Sequence, residues 1–232
     1  MAGAPRHPYL ELIAPRASGA AFDWLSSRHA ELSKENFGLA YAGAGRRLGA
    51  APVDLSGEEV ERLSAARIAL PRGWPLSALA RATLLIAICE QLDGDARLQL
   101  LSGVFKTGDN DERAALSRTL PLLPEPERFV DLGIEACRSH VQSVFEAIAC
   151  ENPYPARHFP DHSFNQLVLK SFFIGVAVKR IEGLADRRSA ELVRMAQAYA
   201  SERRAAGRSI PADLNLVTGT PTPPLGSPGA KP

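Results

Sequence analysis

Eight side chains between positions 152 and 170 hold most of the chain's usable chemistry: Asn152, Tyr154, Arg157, His158, His162, Asn165, Gln166 and Lys170. They bring amide, phenol, guanidinium, imidazole and ammonium groups, all suited to gripping the polar parts of a ligand. The two imidazoles stand four residues apart, a spacing that puts metal ligands on one helical face. Pro160 lies between them, and the residue before a proline avoids the helical region. No HExxH pattern, cysteine pair or acidic cluster accompanies them, so no metal or other cofactor is assigned. His158 or His162 acting as acid or base, helped by Tyr154 or Lys170, is a further reading. No nucleophile–base pair or carboxylate dyad supports it, and no catalytic residue is assigned.

Two elements must position these groups. Asn152-Pro153-Tyr154-Pro155 carries two prolines, which predict a rigid, extended exit from the preceding helix. Asp161 then suits the N-cap of a helix over 162–178. That helix is apolar nearly all round from Phe164 to Val178, as a buried, central helix would be. At 100° per residue, His162, Asn165, Gln166 and Lys170 share one face, within about 140° of one another. Polar groups on such a helix need partners. The stripe reaches solvent, pairs with nearby carboxylates, or lines a cavity opposite Tyr154 or Arg157. An unpaired buried lysine is costly, so Lys170 is the residue to watch. A last helix over 187–206 buries Leu192, Met195, Ala196 and Tyr199, with Arg187 and Glu191 placed as an i,i+4 pair.

The rest of the chain reads as helix as well. Phe22, Leu25, His29 and Leu32 mark one face of a helix over 20–32. Ser56 and Glu59 form a capping box, and the helix behind it carries Val60, Leu63, Ala66 or Arg67, and Leu70 before Pro71. Pro75 opens a helix over 76–92, Asp93-Gly94-Asp95 breaks it, and shorter helices follow over 96–105 and 111–120. After the prolines at 121, 124 and 126, a long helix over 127–150 is expected to bury Phe129, Leu132, Ala136, Val141, Val144, Phe145 and Ile148. Strand periodicity is nearly absent. The fold class is therefore all-α: an irregular α-α superhelix or HEAT-like helical bundle, one domain over 1–214. The Gly-, Pro-, Thr- and Ser-rich stretch over 215–232 is expected to be a disordered tail.

Composition narrows the function. Lys and Arg number 27 against 26 Asp and Glu, so no global basic field gathers nucleic acid. Residues 151–210 hold ten cationic and six anionic side chains, whereas residues 1–150 hold sixteen and nineteen. A small anion or an acidic surface is expected at the C-terminal third. Cys89, Cys137 and Cys150 lie among apolar residues and read as buried thiols. No stretch approaches the roughly 20 apolar residues that span a bilayer, and residues 1–15 do not read as a secretory signal. The expected location is cytoplasmic, without membrane insertion.

Asn152-Pro153-Tyr154-Pro155-Ala156-Arg157, Phe164-Asn165-Gln166 with Leu169-Lys170, and the run from Tyr199 to Arg208 closed by Pro211-Ala212-Asp213-Leu214 together resemble the EboA family. The match covers the last third of the chain. The resemblance implies an accessory protein of secondary-metabolite biosynthesis or precursor trafficking. Its implied partners are a small-molecule metabolite, the enzymes of the same gene cluster, or a membrane prenyltransferase-like protein. It brings no catalytic residues. A protein–protein scaffold without a small-molecule site is the alternative.

Overall fold

A computed structural model describes residues 7–66, 68 and 70–219. Among these the chain forms thirteen α-helices, with an isolated bridge between Pro52 and Pro75 and no strand. It divides into two compact units, Met1–Ile148 and Ala149–Pro232. Arg67 and the tail residues 220–232 lie outside the described residues.

The first unit begins with α1 (Pro8–Ile13), α2 (Gly19–Ala30), α3 (Lys34–Leu48) and α4 (Gly57–Ala65). Local chemistry sets their starts. Ser56 and Glu59 close the capping box at α4: Glu59 N–H donates to Ser56 Oγ at 3.2 Å and Ser56 N–H to Glu59 Oε2 at 2.9 Å. The same carboxylate receives both Nη atoms of Arg16, at 2.7 and 2.8 Å, which ties α4 back to the end of α1. Next come α5 (Leu76–Gln91), α6 (Gly94–Thr107) and α7 (Asn110–Thr119). Asp93 caps α6 through Ala96 N–H, and Asp109 caps α7 through Glu112 N–H.

The helix buried on every side is α5. It is buried from Leu76 through Ile86 and again at Ile88 and Cys89, packed on α1, α3 and α7. Its interior contains one cation, Arg81, only 3% exposed.

The expected long helix over 127–150 is broken. A 3-10 turn over Pro126–Phe129 leads into α8 (Val130–Arg138), and α9 (Gln142–Ala149) starts afresh. Ser139 makes the break: its N–H bonds Ala136 O and its Oγ takes the Val141 N–H, so the side chain competes with the helical ladder. Phe129, Ala136, Val144, Phe145 and Ile148 are buried as expected, while Leu132 and Val141 are half-buried.

The second unit holds α10 (Tyr154–His158), α11 (Asp161–Ile174), α12 (Ala190–Ala205) and α13 (Asn215–Thr218). Three sequence expectations change here. The two prolines do not hold an extended exit. They fall in and before the first turn of α10, where a missing N–H is harmless. Asp161 is the first residue of α11 rather than its cap; Pro160 occupies that position. And α11 stops at Ile174, where Gly175 turns left-handed (φ 75°) and both Gly175 and Val176 N–H close on Ser171 O.

Nor is α11 buried all round: Gln166 is exposed, Phe173 is 66% exposed and Ile174 39%. The last long helix starts at Ala190, capped by Ser189, so Arg187 stands outside it and Glu191 pairs with Arg194 instead. The short α13 occupies four residues read as tail, and its Val217 is fully buried.

Candidate functional site

The eight C-terminal candidates separate into groups. Asn152 is buried, and its Oδ1 accepts the Tyr154 N–H at 3.0 Å, a local turn that starts α10. Tyr154 is fully buried, its ring 4.8 Å from that of His158 and edge-on to Phe159 at 6.0 Å. These three belong together, and the phenol ring surface is taken up by packing. Asn165 is buried on α11. Arg157, His162 and Gln166 are exposed, and Lys170 is half-buried. His162, Gln166 and Lys170 continue along one face of α11 into Phe173 and Ile174.

Arg187 organises this region without having been read as a candidate. Nη1 donates to Ala156 O at 2.6 Å and Pro155 O at 3.4 Å; Nη2 donates to Phe159 O at 2.8 Å and Asp161 Oδ1 at 2.9 Å. The guanidinium also lies 4.8 Å from the Phe164 ring centroid. It fixes the end of α10 against the start of α11. A smaller concavity of about 280 Å³ lies further on, lined by Phe172, Val176, Lys179 and Pro211, with Asp213 holding the Val178 N–H at 2.7 Å.

A larger groove, about 430 Å³, lies in the first unit between α3, α6 and the start of α7. Phe37 and Tyr41, one turn apart on α3, are stacked in its wall with centroids 5.2 Å apart. Leu100 and Val104 of α6 line it with them, and Lys34, Gln99 and Thr107 stand exposed at its edges.

Buried polar chemistry holds that wall. Tyr41 Oη donates to Glu112 O at 2.7 Å. Arg81 Nε donates to Tyr41 O at 3.2 Å, and its Nη2 lies 3.9 Å from Glu112 Oε1. Glu112 Oε2 meanwhile accepts the Asp109 N–H at 3.0 Å. Burial pushes the Tyr41 phenol well above its ordinary range, so it stays protonated and serves as a donor. The sequence signal for this cluster is one cation, Arg81, in an otherwise uncharged run from Leu76 to Cys89.

Two glycines keep the groove open. A Cβ placed on Gly38 of α3 or Gly103 of α6 would meet nothing within 4 Å. Other glycines on α3 have a packing reason: at Gly43 a Cβ would touch Trp24 at 3.0 Å, and at Gly45 it would strike Arg81 Nη2 at 2.6 Å. Glycine inside a helix costs about 0.5–1 kcal/mol relative to alanine. At Gly38 and Gly103 nothing in the fold requires it, and both line the same groove.

The polar groups of the groove wall are engaged within the fold. Glu112 is shared between Arg81 and the Asp109 N–H, and Thr107 Oγ1 donates to Gly103 O at 2.9 Å. The three cysteines are buried, and burial raises the Cys89 thiol to about 12. Among the described residues no group of three His, Cys, Asp or Glu side chains is placed to hold a metal ion, and no helix is long and apolar enough to cross a membrane.

The sequence model of the family described as metabolite traffic protein EboA matches residues 9–218. No curated protein and no solved structure matches the chain.

Proposed function

Because the chain belongs to the EboA family, described as metabolite traffic proteins, we propose that it is a non-catalytic accessory protein that holds a small metabolite of secondary metabolism in the α3–α6–α7 groove and passes it on. The observation that carries this reading is the pair Gly38 and Gly103: two helix-interior glycines with open space at the Cβ, facing one groove. A fold that forgoes helix stability at a groove and gains no packing there fits a site kept clear for cargo. The stacked Phe37 and Tyr41 supply apolar surface, and Lys34, Gln99 and Thr107 supply the few polar contacts that small-molecule sites use for orientation.

The test is to fill the groove. Gly38→Leu with Gly103→Leu adds bulk at two positions whose Cβ meets nothing within 4 Å, so the variant should fold. Protein isolated from its native host, then denatured, should release a small molecule detectable by mass spectrometry, and the variant should release none. Equal release from both proteins, or none from either, overturns this reading.

A second surface belongs to the same function. The α11 face that runs from His162 and Gln166 through Lys170 to Phe173 and Ile174 joins polar groups to two exposed apolar side chains. Exposed Phe173 favours this face as the contact for the enzyme that delivers or receives the cargo. Phe173→Ser should leave cargo content unchanged and weaken that association. An unchanged association removes the face from the reading.

A further inference from the structure

On the opposite side of α3 from the groove, a separate pocket of about 250 Å³ is lined by Trp24 and Arg28 of α2 and by Leu39, Gly43, Arg46 and Arg47 of α3. Few of its charges are matched by carboxylates. Elsewhere in the first unit, Arg16, Arg62, Arg81, Arg97, Arg128 and Arg138 each have a carboxylate within 4.0 Å. Among the described residues, Arg28, Arg46 and Arg47 have none; Arg72 and Arg113 also lack one, but neither lines this pocket. The three that do are exposed, in a unit that carries more acidic than basic side chains.

The last turns of α2 and α3 explain why cations are tolerated there, since a helix C-terminus favours positive charge. They do not explain why an indole and an exposed leucine lie between them. Leu39 is 82% exposed, the most exposed of the large hydrophobic side chains among the described residues. Trp24 is half-buried, seated against Gly43, with the Arg47 guanidinium 4.8 Å from its ring centroid. About 15 Å of helix separates Asn36 from Arg46. The pocket is thus an apolar strip with cations at both ends, Arg28 near one and Arg46 with Arg47 at the other.

We infer that this pocket binds an anionic amphiphile: a phosphate held by Arg46 and Arg47, on an apolar body that lies along Trp24 and Leu39. Guanidinium forks match phosphate oxygens, and the stacked Arg47 is already oriented by the indole. The same chemistry occurs in a free phosphorylated metabolite and in a lipid headgroup. The inference stands apart from the glycine-lined groove and does not depend on it.

The test uses the full chain and n-hexyl phosphate, with inorganic phosphate and hexanol as partial probes, followed by calorimetry or by titration of Trp fluorescence. Hexyl phosphate should bind saturably and at least tenfold more tightly than either partial probe. Arg46→Gln with Arg47→Gln should weaken it at least tenfold, while Arg138→Gln leaves it unchanged. Leu39→Asp, at a site too exposed to affect folding, should erase the preference for hexyl phosphate over inorganic phosphate. Co-sedimentation with phosphatidylcholine vesicles containing phosphatidylglycerol, lost in the double arginine variant, would identify a headgroup as the source. Its absence alongside tight hexyl phosphate binding would identify a free molecule. Failure of both hexyl phosphate and vesicles to bind, or binding undiminished in the double variant, overturns the inference.

Discussion

Arg187 and Asp161 meet at 2.9 Å across 26 residues of sequence, but the carboxylate is not what holds the arginine in place. The Asp161 side chain is 83% exposed and the Arg187 side chain 21%, so the ion pair faces water on its acidic side. Exposed pairs contribute about 0–1 kcal/mol. The carbonyls of Ala156 and Phe159, at 2.6 and 2.8 Å, receive the more sheltered bonds.

That asymmetry yields a paired expectation. Asp161→Asn should change unfolding free energy by less than about 0.5 kcal/mol. Arg187→Ala should cost about 2–3 kcal/mol, because it strands carbonyls and removes packing on Phe164. Arg187→Lys should recover under half, since a point charge cannot replace the fork. Urea denaturation of the three variants checks this. Equal losses for Asp161→Asn and Arg187→Ala would show that the ion pair dominates.

The Arg16–Glu59 contact predicts an acid-sensitive anchor. Hydrogen bonds from Arg16 first, and then from Ser56, hold the Glu59 carboxyl down at about 2, against an ordinary 4.5. A depressed carboxyl stabilises the fold above the unfolded value, and that stabilisation disappears as pH falls toward the folded one. Wild type should exceed Glu59→Gln by about 1–2 kcal/mol at neutral pH. The gap should stay level down to about pH 4.5 and close between there and about pH 2. Thermal melts across that range read it directly; a gap that does not narrow in acid refutes the assignment.

Replacing glycines on α3 and α6 should have opposite effects at different positions. Gly38→Ala and Gly103→Ala should each stabilise by about 0.5–1 kcal/mol, because helix propensity improves and no atom is met. Gly45→Ala should destabilise by about 1–3 kcal/mol, because the new methyl displaces a buried guanidinium bonded to Tyr41 O. Differential scanning calorimetry of the three single variants decides it, and a stabilised Gly45→Ala would be the failing outcome.

At the C-terminus the boundary matters by a few residues. A chain stopped after Gly219 should melt within about a degree of the full chain, given the Gly- and Pro-rich composition beyond it. Stopping after Leu214 removes α13, which packs on α12, along with the fully buried Val217. Burial of one such side chain contributes about 1.5 kcal/mol, so that truncation should lower the melting temperature by several degrees. Identical melting of the two truncated chains would contradict the packing of α13.

What was legible in the sequence was local. The Ser56–Glu59 box, the Asp93 break and the Pro75 start all act within a few residues, and each is in the structure. What was illegible acts at a distance. No periodicity links Arg16 to Glu59 or Arg187 to Asp161. The helix that carries both the groove and the cationic pocket, α3, is hidden by its own glycines, since Gly38, Gly43 and Gly45 erase the apolar rhythm.

The rule that singled out Lys170, a lone cation in an apolar helix, applies more strongly to Arg81, whose helix is the one buried on every side. Net charge by segment does not point to the cationic pocket: Arg180, Arg187 and Arg194 of the basic C-terminal third are paired with carboxylates, whereas Arg28, Arg46 and Arg47, which have none, lie in the unit with the acidic balance.

The close approach of Arg81 to Gly45 constrains how this sequence can drift. The space for a Cβ at position 45 is already occupied by Arg81 Nη2. A change at 45 alone meets the guanidinium; a change at 81 alone removes the cation that Tyr41 O and Glu112 face. Each change alters what the other residue meets, so the pair should be epistatic. Gly45→Ala, harmful on its own, becomes nearly silent once Arg81 is methionine. Lineages that keep the arginine are held to glycine at 45, and the two positions should covary.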